Sequence, residues 1–207
     1  MKIVLIRHGQ TEWNLDRRIQ GWHNSPLTSE AEELLRQLPL PELVSPIIYS
    51  SDLGRSHQSA QILADRLGLS VITDTRLRER KLGVLEGKVI DQDHELTSFW
   101  NAYHRRYEYK MDAVFGAESE QDFESRILSF LHDIVQMNEQ YLGDEKEVVV
   151  VSHGEWIRAF INILSGVPSW RKGRGIENNG TPFVLEYSGQ PYGLSESSDV
   201  AENKETA

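Results

Sequence analysis

Ile3-Val4-Leu5-Ile6-Arg7-His8-Gly9 is the stretch from which the rest of the chain is read. Its four apolar residues, three of them β-branched, form a short continuous run, the pattern of a strand buried on both faces. An arginine, an imidazole and a glycine follow at once. In an open α/β sheet ligands bind outside the carboxyl ends of the strands, so residues 7–9 stand where a ligand would be met. The layout recurs. Val148–Val151 is followed by Ser152-His153-Gly154, and Ile47–Ser50 by Ser51-Asp52-Leu53-Gly54-Arg55. A third strand at Leu69–Thr73 precedes Arg78-Glu79-Arg80.

Helical patterns separate these runs. Thr28 or Ser29 caps a helix to about Leu38, with Glu30, Glu32 and Glu33 in its first turn. Asp52 to Leu67 places Ala60, Leu63, Ala64 and Leu67 on one face and stops at Gly68. Residues 93–110 carry Trp100, Tyr103 and Tyr107 at helical spacing, and Asp122–Glu139 carries Phe123, Ile127, Phe130, Leu131 and Ile134 in phase. Gly154–Leu164 is a further helix and Pro182–Tyr187 a last strand. Strands alternating with helices predict an α/β fold around a mainly parallel sheet. Residues 1–189 read as one domain. From Gln190 to residue 207 the chain is rich in Ser and Glu and nearly without large apolar residues, which predicts a disordered acidic tail.

Composition narrows the function. The chain has 207 residues, 39% hydrophobic and 26% charged, with a net charge of −10. That balance argues against nucleic acid or an anionic membrane as partner. The charge is uneven: residues 1–107 hold 14 basic and 14 acidic side chains, residues 108–207 hold 8 and 18. An anion site is therefore expected from local basic clusters. With no cysteine, disulfides, thiolate metal sites and cysteine nucleophiles are excluded. Four apolar residues before Arg7 are too few for a signal peptide or a span of ~20 residues, so the expectation is cytoplasmic. There is no P-loop, G-x-S-x-G elbow, G-x-G-x-x-G or H-E-x-x-H. Asp91-Gln92-Asp93 reads as a helix cap rather than a paired-aspartate phosphatase motif, because no buried strand precedes it. His94, His104 and His132 read as surface or core histidines.

Two histidines, at least two arginines and a glutamate thus leave one edge of one sheet. Each has a job in phosphoryl transfer, where catalysis is mostly positioning and electrostatics. Arg7 and Arg55 offer forks to phosphate oxygens. A neutral His8 can attack phosphorus, its pKa lowered by the arginines and its other nitrogen held by a backbone carbonyl. Glu79 can protonate the leaving alkoxide if its pKa is raised, and then deprotonate the attacking water. His153 can donate to the phosphate, and Gly154 opens a helix whose amides favour anions.

Arg7-His8-Gly9-Gln10-Thr11-Glu12-Trp13-Asn14, Gln20-Gly21-Trp22, Ser50–Arg55, Leu77–Gly87 and Val151–Gly154 together resemble the histidine phosphatase superfamily, the phosphoglycerate mutase-like fold, across about residues 1–190. The resemblance implies a three-layer α/β/α sandwich. It makes His8 the phosphorylated nucleophile, Glu79 the proton donor, and Arg7, Arg55 and His153 the phosphate pocket. Asn14 adds a hydrogen bond, and Gln20 and Gly21 line the rim. It implies neither metal nor cofactor, and a small phosphorylated metabolite as partner, with a homodimer compatible. Cofactor-dependent mutases are similar over Glu79-Arg80 and at Arg105-Arg106, a pair that would read a substrate carboxylate or else lie on a solvated helix face. Leu82 and Ile90 depart from the mutase pattern, and a short insert ending in Gly116-Ala117-Glu118-Ser119 favours the phosphatase branch. The expectation is a metal-independent phosphomonoester hydrolase. A phosphoglycerate mutase and a catalytically silent binding module are the alternatives.

Overall fold

A computed structural model describes residues 1–111, 113–141, 147–188 and 194–196. Among the described residues six strands form one sheet: β1 (Lys2–Arg7), β2 (Ile47–Ser50), β3 (Val71–Thr73), β4 (Glu147–Ser152), β5 (Pro182–Tyr187) and β6 (Leu194–Glu196). Their order is β3-β2-β4-β1-β5-β6. The first four run parallel, and β5 and β6 are antiparallel additions at one side. Helices are α1 (Glu12–Leu15), α2 (Ser29–Gln37), α3 (Gly54–Leu67), α4 (Thr97–His104), α5 (Glu120–Tyr141) and α6 (Gly154–Leu164).

The apolar runs of β1 and β4 point alternate side chains to opposite faces, and both faces are covered. Ile3, Leu5, Val148 and Val150 meet Phe123, Ile127, Phe130, Trp156 and Phe160 of α5 and α6. Val4, Ile6, Val149 and Val151 meet Leu35, Ala60, Leu63 and Ala64 of α2 and α3. The result is the three-layer α/β/α sandwich. A smaller cluster of Ile19, Leu82, Leu85, Trp100, Met111 and Val114 forms a cap outside the sheet.

The sheet has one switch point. From β1 the chain leaves toward α2 on one face; from β4 it leaves toward α6 on the other. β1 and β4 are neighbours with Arg7 opposite Ser152, so the crevice that ligands favour opens where His8 and His153 emerge. The His8 amide extends the ladder by donating to the Ser152 carbonyl at 2.9 Å.

Several boundaries differ from the sequence reading. β3 begins at Val71, not Leu69, because Gly68 takes a left-handed conformation and the Leu69 amide closes α3 on the Ala64 carbonyl. The helix expected over 93–110 is a 3-10 turn at His94–Leu96 followed by α4, which ends at His104. Beyond it the amides of Glu108 and Tyr109 fold back on the Arg105 carbonyl, which frees Arg106 and Tyr107 to turn inward. α5 starts at Glu120 rather than Asp122. Asp93 stands at the head of the 3-10 turn but caps nothing. It pairs with Lys88, while Asp91 pairs with His104. The predicted tail falls mostly outside the described residues; within it, Leu194–Glu196 pairs with β5. Among the described residues no helix is long and apolar enough to cross a membrane.

Candidate active site

His8 directly follows β1 and is 3% exposed. Its Nδ1 lies 2.7 Å from the Gly9 carbonyl, and Arg55 Nε donates to its Nε2 at 3.2 Å. The two contacts agree on one tautomer: the proton is on Nδ1 and the lone pair on Nε2. Burial, then Arg55 and Arg7, hold its pKa well below the usual histidine range. A neutral imidazole with its lone pair on Nε2 is the protonation state a nucleophile needs. Of the causes, burial is larger than the arginines that the sequence suggested.

His153 is fully buried, its ring 5.2 Å from that of His8. Burial and then Arg55 keep it neutral as well. Neither of its ring nitrogens has a hydrogen-bond partner, and neither does Arg7 Nε. Unpaired buried polar atoms are costly, and here they sit on His153, beside His8, and on Arg7, beside Gly154. A tetrahedral oxyanion supplies the acceptors that both groups lack.

Arg55 opens α3 and is 1% exposed. Its terminal nitrogens donate to the Gly21 and His23 carbonyls at 2.8 and 2.7 Å. With Nε on His8, three of its five N–H groups are used, so it presents single donors rather than a free fork. Arg7 donates to the Glu177 carbonyl at 3.0 Å. Gly21 has φ +50°, and a Cβ there would stand 2.1 Å from Glu86 Oε1. Only glycine lets that carbonyl reach Arg55. At Gly154 a Cβ would meet the Ile176 side chain at 2.7 Å, so the two pack closely there.

Glu79 sits on the pocket wall, half-buried. Its Oε1 accepts from the Arg80 amide at 2.9 Å and its Oε2 from the Glu155 amide at 3.3 Å. Burial, then the Glu155 charge, raise its pKa. Trp22 Nε1 donates to the Glu79 carbonyl at 2.8 Å and fixes the segment. Glu155 behaves in the opposite way. Burial opposes its ionisation, but Arg106 and Arg158 outweigh burial and bring its pKa to about 2. Arg106 Nε and the Tyr107 hydroxyl donate to Oε1 at 2.8 and 2.7 Å, and Arg158 Nε to Oε2 at 3.0 Å. Two neighbouring carboxyls are thus driven apart, one toward its proton and one away from it, the pattern of an assigned acid beside a fixed charge.

A cavity of about 270 Å³ joins these groups. Arg7, His8, Asn14, Gln20, Gly21, Arg55, Glu79 and Gly154 all line it, whereas His153, fully buried with its ring 5.2 Å from that of His8, is not part of the lining. Asn14 Oδ1 accepts from Thr11 N and Oγ1, closing a capping box on α1, which leaves its amide nitrogen as the donor. Arg105 is not brought to the site: it is exposed, paired with Glu108 and stacked on Tyr109. Arg106 is committed to Glu155. The aromatic wall suggested by Trp22, Trp100, Tyr103 and Tyr107 reduces to Tyr103. Trp100 is buried in the cap, Trp22 lies under Arg78 and Lys81, and Tyr107 serves Glu155.

Sequence reasoning missed Trp13, Arg17, Arg18, Glu155 and Ile176 on the cavity lining. Glu155 left a signal: a lone carboxylate in an otherwise apolar helix with Arg158 three residues on. Arg17-Arg18 left another, a basic pair just after the Asn14 motif.

The family model of the histidine phosphatase superfamily (branch 1) matches residues 3–199. The chain is 32% identical over 196 residues to an Enterobacter protein named "Probable phosphoglycerate mutase GpmB", covering 93% of this chain and 87% of that one. The fold is similar to that of Bacillus stearothermophilus YhfR, with TM-score 0.79 and 28% identity over 97% of this chain and 98% of that one. A mycobacterial glucosyl-3-phosphoglycerate phosphatase in complex with VO3 is similar at TM-score 0.76 and 28% identity, covering 94% of this chain and 97% of that one.

Proposed function

The chain belongs to the histidine phosphatase superfamily (branch 1), and from that membership we propose that it hydrolyses the phosphomonoester of a small metabolite, without a metal ion, through a covalent phosphate on His8. The observation that carries this reading is a pair of buried imidazoles 5.2 Å apart, His8 with its Nε2 lone pair turned to Arg55 and His153 with both ring nitrogens unpaired.

In the first step the substrate phosphate takes up the free donors of Arg7, Arg55, Asn14 and His153, and an oxygen displaces Arg55 Nε from His8. His8 Nε2 attacks phosphorus, the P–O ester bond breaks, and Glu79 gives its proton to the leaving alkoxide. In the second step the Glu79 carboxylate takes a proton from water. The water oxygen attacks phosphorus, the P–N bond breaks, and inorganic phosphate leaves. The Gly9 carbonyl holds Nδ1–H throughout, so the ring keeps its orientation as positive charge develops. Positive charge comes from side chains already in place, which is why no metal is invoked.

Water rather than a second substrate is favoured as acceptor by the fate of the arginine pair. Arg105 is turned to solvent and paired with Glu108, and Arg106 is committed to Glu155, so this pair does not take the carboxylate-reading part that the mutase resemblance would give it. The cytoplasm remains part of this proposal, and fractionation of cells tests it.

The deciding measurement is release of phosphate from p-nitrophenyl phosphate and from a panel of phosphorylated metabolites, compared with His8→Ala. Acid-labile, base-stable phosphate on the protein supports the reading. Interconversion of 2- and 3-phosphoglycerate in the presence of a bisphosphoglycerate primer, without net hydrolysis, replaces it with the mutase. No turnover above His8→Ala on any ester replaces it with a binding module.

A further inference from the structure

Four arginines line the cavity: Arg7, Arg17, Arg18 and Arg55. Three are anchored to backbone carbonyls, Arg7 to Glu177, Arg18 to Gly87 and Arg55 to Gly21 and His23. Arg17 is different. It is exposed, and among the described residues its side chain makes no hydrogen bond, ion pair or ring contact. In a chain of net charge −10, a cation left unpaired at the mouth of an anion site is informative.

Its backbone is informative too. α1 ends in a Schellman turn: the Arg17 amide donates to the Asn14 carbonyl at 3.2 Å and the Arg18 amide to the Trp13 carbonyl at 2.8 Å. Arg17 holds the left-handed position of that turn, φ +54°, where glycine is the usual residue. The turn itself gains nothing from an arginine there. What the position does supply is depth: His8 and Arg55 are buried in the same cavity, whereas Arg17 lines it from the exposed side. Trp13, Ile19, Leu82, Ile90 and Tyr103 add an apolar part to the lining.

We propose that Arg17 reads a second anionic group at the far end of the leaving group, so that the preferred substrates are phosphomonoesters with a short carbon skeleton and an acidic tail. This rests on the phosphatase reading of the same site and adds the substrate class to it. A carboxylate and a second phosphate both satisfy a guanidinium.

Three esters that share one skeleton separate the cases: butyl phosphate, 4-(phosphonooxy)butanoate and butane-1,4-diyl bisphosphate. With the full chain, one or both of the tailed esters is expected to show a KM about tenfold below that of butyl phosphate, and the better of the two identifies the tail. Arg17→Gly suits the turn better than arginine does, so its melting temperature is expected to be no lower than that of the wild type. The variant is expected to raise the KM of the tailed ester about tenfold with little change in its kcat, the factor that roughly 1.4 kcal/mol represents. Arg17→Lys is expected to fall between. Equal KM values for all three esters in the wild type, or an equal effect of Arg17→Gly on all three, overturns the proposal. Calorimetric binding of ω-phosphonoalkanoates of three to six carbons against the matching alkylphosphonates makes the same comparison without turnover. A protein that hydrolyses none of the esters therefore removes the hydrolase reading, while calorimetry still decides about Arg17.

Discussion

At the scale of single residues, the site works by contrast between groups of one kind. Glu79 and Glu155 both line the same cavity, yet only Glu155 is held by two arginines and a tyrosine. Glu79→Gln removes the donor while keeping its shape. Hydrolysis of alkyl phosphates is expected to fall about 10²-fold or more, and that of p-nitrophenyl phosphate far less, because only the alkoxide needs the proton. Equal slowing of both would remove Glu79 from the role. Glu155→Gln removes a negative charge that raises the Glu79 pKa. The Glu79 proton is then lost at lower pH, so the alkaline limb of kcat/KM is expected to move to lower pH. A pH–rate profile of the two proteins checks the sign. Loss of Arg55 as Arg55→Ala is expected to cost roughly 10²–10³ in rate, as for other preorganised donors to a transition-state oxyanion.

At the scale of elements, the loops matter more than the helices they join. The segment around Gly21 is tied from three sides: Arg55 holds its carbonyl, Glu86 accepts from the Trp22 amide at 3.1 Å, and the same Glu86 oxygen accepts from the Leu82 amide at 2.8 Å. Gly21→Ala forces a side chain into a left-handed residue and against Glu86. Denaturant titration is expected to show a loss of at least about 1–2 kcal/mol, and kcat is expected to fall because Arg55 loses its anchor. Unchanged stability would mean that the segment can flip at no cost. Trp100, Tyr103 and Tyr107 illustrate the limit of periodicity. Their spacing fits one helix, but α4 ends at His104, since Arg106 and Tyr107 gain more by reaching Glu155 than by continuing the turn.

At the scale of the whole molecule, the buried site makes stability depend on pH. His8 and His153 are kept neutral in the native state, whereas in the unfolded chain they charge near 6.5. Below that value the unfolded chain binds protons that the folded one refuses, so stability is expected to fall as the pH drops below about 6.5. Glu155 adds a loss between its ordinary 4.5 and about 2. Glu79, shifted up, opposes this weakly by binding its proton earlier in the folded protein. Urea midpoints at pH 7 and pH 5 are expected to differ, and His153→Asn, which cannot titrate, is expected to narrow the difference. An identical drop in both proteins would exclude the histidine as its source.

The sandwich was legible because it rests on local pattern. Apolar runs of β-branched residues buried on both faces, alternating with phased helices, leave few other architectures. The positions of His8, Arg55, Glu79 and His153 followed, because residues just after parallel strands share one edge. The sequence by itself therefore determined the layers and the chemistry of the edge. Tertiary structure alone decided which charges stayed free. Arg7-His8 and Arg105-Arg106 are equally basic or polar pairs on paper, but Glu155 captures Arg106, solvent takes Arg105, and the Schellman turn leaves Arg17 unpaired. Those outcomes depend on distances between segments far apart in the chain. Burial and pairing set the energy of a charge, and neither is written in its neighbours along the backbone.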